Sequence, residues 1–213
     1  MLLTGWILLA VALPAAAQTT LGVRAGVGIA RMDLDPGDEV FATCPPGEPC
    51  PGFPTDPAYS FTFGADLTVP LALEYEIRVG GTYAVKGGAG LGSDANGEPL
   101  SGRLSVGYVQ LSALLGARFS GRPLGRLSVS VLAGPWVALR LWCGGAGRQN
   151  TGCASFDPDT PDAGLAVGAG VEAALSSRLS LGVEAIYHHG LTSFSYQTTR
   201  FVAIQAGVVV PVG

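Results

Sequence analysis

After residue 17 the chain lacks any run of the eighteen or so consecutive apolar residues that a membrane-crossing helix needs, so helical spans are not expected there. Convincing helical periodicity is missing over the same stretch. Charge is scarce at 13% of 213 residues, and only two residues are histidine. No Lys or Arg precedes the first apolar stretch, no Cys follows it directly, and no CxxC pair occurs. A lipoprotein anchor is therefore not expected, and the cysteines do not have zinc-like spacing. Hydrophobic residues nevertheless make up 48% of the chain, and the mean hydropathy is +0.39. Apolar character spread this thinly is what strands would produce.

Leu2 to Ala17 form one short apolar run that ends in Ala15-Ala16-Ala17 before Gln18. It reads as a signal peptide over residues 1–17 with a small-residue cleavage site, leaving 18–213 as one domain. Four cysteines in an exported chain read first as disulfides. Cys44 and Cys50 bracket a Pro-rich segment, and Cys143 and Cys153 a Gly-rich one. Three pairings are possible, and the local one, Cys44 with Cys50 and Cys143 with Cys153, closes the shortest loops. Net charge is -4. Segment 33–58 holds Asp33, Asp35, Asp38, Glu39, Glu48 and Asp56 with no basic residue, and segment 143–163 holds Asp157, Asp159 and Asp162 against Arg148. Such loops are not expected to bind nucleic acid.

Period-two alternation marks strands near 20–31, 59–69, 73–86, 104–119, 127–142, 164–175, 179–190 and 200–210. Within them Arg24, Asp66, Glu74, Glu76, Arg78, Lys86, Arg118, Arg140, Glu172 and Glu184 all fall on the small or polar side, opposite the Val, Leu and aromatic side. One face of each strand is thus apolar and the other carries charge. A Lys or Arg on a lipid face costs about 2–4 kcal/mol at the midplane, so these ten are expected inside, five acidic against five basic, as an ion-pair network filling a narrow lumen.

Connections alternate in length. The links near 32–58, 87–103, 143–163 and 191–199 are long, while those near 70–72, 120–126 and 176–178 are short. An all-β, eight-stranded antiparallel up-and-down transmembrane barrel has this rhythm, with short periplasmic turns, long external loops and both termini in the periplasm. Phe61, Phe63, Tyr83 and Tyr187 would face lipid on the long-loop side, and Tyr75 and Phe119 on the short-turn side, as two aromatic girdles. Pro70 stands where the second strand should end. Pro135, inside the fifth, predicts a bulge or local irregularity beside Gly134.

With these patterns in place, the chain resembles the eight-stranded outer-membrane barrel domains of the OmpX-like and PorT-like kind. The stretch VLAGPWVALRL at 131–141 looks like that group's fifth strand, and Tyr187-His188-His189-Gly190-Leu191-Thr192 its seventh-strand end. The resemblance covers nearly all of residues 20–213 and implies a bacterial outer-membrane location. Members commonly end in an aromatic residue, whereas this chain ends Val210-Pro211-Val212-Gly213.

Chemistry-bearing candidates are few. Glu74 and Glu76 share a face, but inward cations such as Arg78 would neutralise them. His188 and His189 point to opposite faces and cannot grip one metal from a regular strand. His188 should face inward near the external rim, where Ser193 or Ser195 and Glu184 would make a conceivable hydrolytic set. GAGVEA at 168–173 matches a loose dinucleotide fingerprint, yet it lies in a strand, where its glycines make room for inward Trp136 and Arg140. The carboxylates of 33–39 do not have EF-hand spacing.

The expected protein is a monomeric, non-enzymatic barrel embedded in outer-membrane lipid, without cofactor or metal. Its interior would be plugged, and ligands would meet the loops 33–58 and 143–163. Two rivals stand beside it: a lipid-modifying enzyme centred on His188, and a soluble periplasmic barrel of lipocalin type, which would need an apolar lumen and a polar exterior.

Overall fold

The computed structural model of the chain describes residues 18–34, 56–72, 74–93, 99–120, 126–146, 161–191 and 197–212. These residues form eight strands: β1 Thr20–Leu34, β2 Asp56–Pro70, β3 Tyr75–Ser93, β4 Pro99–Ser120, β5 Leu127–Ala146, β6 Asp162–Ser176, β7 Leu179–Gly190 and β8 Gln197–Pro211. Each pairs antiparallel with the next, and β1 closes on β8 from Thr20↔Pro211 to Leu34↔Gln197. Closure satisfies every strand edge, which a bilayer requires because it offers the backbone no water.

The apolar side of the alternation faces outward. Val27 is 60% exposed, Leu115 57% and Val167 56%, while the intervening positions are buried in the lumen. An apolar exterior is the reverse of a lipocalin's, which removes the soluble-barrel reading.

The strands run further than alternation indicates. β3 and β4 remain paired from Gly87↔Ser105 to Ser93↔Pro99, so the third link is 94–98 and not the long 87–103. Their extension is rich in Gly and Ser, and backbone pairing there leaves no apolar-polar signature to read. The remaining links at this end are 35–55, 147–161 and 191–196; at the other end they are 71–74, 121–126 and 177–178.

Pro135 produces a gap in pairing without a bulge. The β4–β5 register passes from Ser112↔Trp136 to Leu115↔Ala133 unshifted, with only the pairs between them missing. A proline removes one N–H without adding a residue, so the ladder opens locally while the count across it is unchanged. The actual register shifts lie at Gly107/Tyr108 on β4, between Pro57 and Thr62 on β2, and between Ala174 and Ser176 on β6.

Candidate functional site

Strand parity decides what enters the lumen. Toward the short turns, Arg24 of β1, Asp66 of β2, Glu76 and Arg78 of β3 and Glu184 of β7 are buried and converge. Arg24 Nε lies 2.9 Å from Asp66 Oδ1, and its Nη1 3.3 Å from Glu184 Oε2. Arg78 donates from Nη1 to Glu184 and lies 3.3 Å from Glu76 Oε1 through Nη2. Arg118, more open to solvent, extends the chain to Glu76 Oε2 at 2.9 Å and Glu172 Oε2 at 3.4 Å. Charges taken out of water need partners of this kind, and sharing carboxylates between guanidiniums supplies several at once.

Small residues leave space for the network. A Cβ at Gly22 would overlap the Asp66 carboxylate, and one at Gly116 would meet the Glu76 side chain. The glycines of GAGVEA serve the same purpose for partners other than those expected: Gly168 faces Ile186, and Gly170 faces Glu184. Trp136 instead stands opposite Gly164 and donates from its indole to the Leu165 carbonyl at 3.1 Å.

Toward the long links the lumen changes character. Lys86 is 1% exposed, and its ammonium sits 4.3 Å from the ring centroid of Trp136, 4.8 Å from Tyr108 and 5.6 Å from Phe201. Asp162 Oδ2 is 3.8 Å away. Cation–π attraction strengthens where water is excluded, so three rings and a carboxylate offset much of the ion's lost hydration. Arg140 stands opposite Tyr108 in the β4–β5 ladder and is buried with it. His188 packs edge-on against Trp136, and its Nδ1 is 2.8 Å from Gln110 Nε2.

Two expected members change places. Glu74 is exposed in the β2–β3 turn, because β3 begins only at Tyr75; its carbonyl accepts from the Arg118 backbone N–H at 2.7 Å. Asp162, read as a loop carboxylate, is instead the first residue of β6 and buried. The described lumen therefore holds Asp66, Glu76, Asp162, Glu172 and Glu184 against Arg24, Arg78, Lys86, Arg118 and Arg140, still five and five. What alternation missed is the aromatic lining: Tyr108 and Phe201 point inward, and the only cue was their parity with Gln110 and Gln205.

A cavity of about 40 Å³ separates the two clusters, lined by Thr82, Gln110, Ser112, His188 and Gln205 among others. At roughly 15 Å³ per water, it accommodates only two or three molecules. His188 faces this space, but Glu184 is committed to Arg24 and Arg78, and Ser193 and Ser195 lie outside the described residues. The carboxylates of 35–39, together with Cys44, Cys50 and Cys153, also lie outside them, while Cys143 is half-buried against the lumen's apolar cluster.

On the outer face Phe61, Phe63, Tyr75 and Phe119 are exposed, and Tyr83 and Tyr187 half-buried. The Phe63 and Tyr83 rings are 5.1 Å apart, and Trp142 donates to the Tyr83 hydroxyl at 3.0 Å. Tyr59, 72% exposed, joins the same sector. One feature of this face runs against the alternation: Arg31 and Arg200, near the long-link ends of their strands, are exposed on the lipid-facing side.

A closed antiparallel barrel with an apolar outside and a lumen of paired charges is a transmembrane β-barrel of the outer-membrane type. The chain belongs to the outer membrane protein beta-barrel domain family, whose model matches residues 6–210, and this places it in a bacterial outer membrane. Among solved structures it is similar to the outer membrane protein OprG from Pseudomonas aeruginosa, with 11% identity, a TM-score of 0.54, and coverage of 92% of this chain and 97% of that one. It is also similar to Neisserial surface protein A, with 13% identity, a TM-score of 0.49, and coverage of 90% and 97%. The outer membrane protease OmpT from Escherichia coli is similar at 9% identity, with a TM-score of 0.37 and coverage of 92% and 97%. At such identities the likeness concerns fold alone. No protein of curated function matches the chain in sequence.

Proposed function

We propose that this protein is a closed, non-enzymatic outer-membrane barrel whose work is done at its surface. In this reading residues 1–17 are removed as a signal, both termini lie in the periplasm, and the links 35–55 and 147–161 are displayed outside the cell, tied by Cys44–Cys50 and Cys143–Cys153. The observation that carries the reading is the filled lumen. Seven charged side chains bridge it at one level, and Lys86, Trp136, Tyr108 and Phe201 fill it at another. With the interior occupied, a rigid barrel can act only through what it displays at its rims and in its loops.

Single-channel recording in planar bilayers tests the closed lumen. No large, stable conductance is expected, and a reproducible open state would overturn the proposal. Mass spectra of membrane lipids test the absence of enzymatic action: cells carrying the native chain and His188→Ala should give the same species, and a product lost with the histidine would make the protein an enzyme.

A further inference from the structure

Gln18 stands at the short-turn mouth of the lumen, where the chain beside it is held from both sides. Thr20 pairs with Thr68 of β2 and with Pro211 of β8, and the Thr19 carbonyl accepts from the Val212 N–H at 2.8 Å. Counting back by twos from inward Arg24, through Gly22 and Thr20, puts Gln18 on the lumen-facing parity. A cavity of about 70 Å³ opens at this mouth, lined by Gln18, Thr20, Thr68, Glu74, Glu76 and Arg118 among others.

Two polar groups of the cavity lack a match. Glu76 and Arg118 are committed to each other at 2.9 Å, but among the described residues no cation pairs with the Glu74 carboxylate. The Thr20 hydroxyl is buried without a hydrogen-bond partner. Charge is also unbalanced in this half of the lumen. Asp66, Glu76, Glu172 and Glu184 stand against Arg24, Arg78 and Arg118, four against three, because Lys86, Arg140 and Asp162 lie in the other half. A positive, hydrogen-bonding group at the mouth would meet each of these deficits.

We propose that cleavage after Ala17 supplies that group: the α-ammonium of Gln18 seats in the cavity as the counter-ion of Glu74 and latches the start of β1 to the β2–β3 turn. This rests on residues 1–17 being removed as a signal. An α-amino group titrates at about pH 8, so the terminus is charged at neutral pH. Tethered through β1, it meets Glu74 without an encounter from solution, at an effective concentration that a soluble amine lacks. The pairing has a chemical consequence. An N-terminal glutamine cyclises when the lone pair of its α-nitrogen attacks Cδ; the N–Cδ bond forms, the Cδ–Nε2 bond breaks, and the amide nitrogen leaves as ammonia with a proton from the amine. A carboxylate that favours the ammonium withholds that lone pair, so the latch protects Gln18 from cyclisation.

The protein, produced with residues 1–17 and purified from outer membranes in detergent, is followed by intact mass over days at neutral pH. Its mass should first show Gln18 as the leading residue. Ammonia loss should then run about threefold faster in Glu74→Gln than in the native protein, the scale of an exposed ion pair. High salt, an arm that needs no variant, should raise the native rate to the variant's and leave the variant's unchanged. In urea the two should cyclise at one rate, and unboiled gel mobility should show both folded in its absence. A leading residue other than Gln18 would overturn the signal reading and this proposal together. With Gln18 leading, equal rates in the two folded proteins, a native rate that salt does not raise, or a difference that persists in urea would overturn the proposal alone.

Discussion

The Lys86 ammonium lies 4.3 Å above the Trp136 ring, in a chamber that reaches it from β3 on one wall and β5 on the other. Among the described residues the nearest carboxylate is that of Asp162 of β6, 3.8 Å away, and no side-chain hydrogen bond reaches Nζ. A buried cation held by rings and one carboxylate makes each partner sensitive to loss of the other.

Replacing both members should therefore cost less than the sum of the two single replacements. Asp162→Asn, which leaves Lys86 buried without its counter-ion, should destabilise the barrel by about 3–5 kcal/mol. The double variant Lys86→Met/Asp162→Asn should lose clearly less than the two single changes combined. Urea titrations in detergent, followed by the mobility of unboiled samples on gels, measure both; additive losses would show that the pair is not coupled.

Arg78 and Arg118 offer a second contrast. Arg78 is 6% exposed at its side chain and reaches Glu76, Asp66 and Glu184, whereas Arg118 is 28% exposed. Arg78→Met should cost about 3–5 kcal/mol, because carboxylates are left buried around it, and Arg118→Met about 1 kcal/mol, because solvent screens what remains. The same titrations should order them so; equal losses would mean that solvent reaches the whole network.

The aromatic layer makes its own prediction for conductance. Trp136→Ala/Phe201→Ala removes two rings from the lumen and should convert a silent barrel into one with small, measurable ion currents. Leu139→Ala on the outward face should remain silent. Currents equal in the native and doubly truncated proteins would show that the rings do not close the path.

At Gly28 the lumen is tight in a different way. A Cβ there would run into the Phe201 ring. Gly28→Val should destabilise the barrel by about 1–3 kcal/mol through overpacking, and Gly28→Val/Phe201→Leu should recover part of the loss. Failure of the second change to rescue would place the strain in the backbone.

The strand number, the inward side of Arg24, Asp66, Glu76, Arg78, Arg118, Glu172 and Glu184, and the outward aliphatic face were legible because strand parity is local: a side chain's face depends only on its neighbours along the chain. Glu74 was misread where that locality ends, at a strand boundary set by the turn. Asp162 was missed for the same reason, since the strand begins two residues earlier than alternation marks and so carries a carboxylate from loop to lumen. Arg31 and Arg200 stand at the ends of the strands marked at 20–31 and 200–210, on the parity of Ile29 and Val202, so their outward face was legible; alternation does not assign a depth, which comes from the height and tilt of the closed barrel.

The sequence by itself determined that this protein is a barrel with lipid outside and charge within, because two-residue periodicity and the expense of ions in hydrocarbon act position by position. Only the tertiary structure decided which charges meet. Lys86 and Asp162 lie 76 residues apart in the chain, and Arg78 and Glu184 106 apart. Their encounter depends on register, closure and the volume left by glycines across the lumen, none of which is written in the neighbourhood of any one residue.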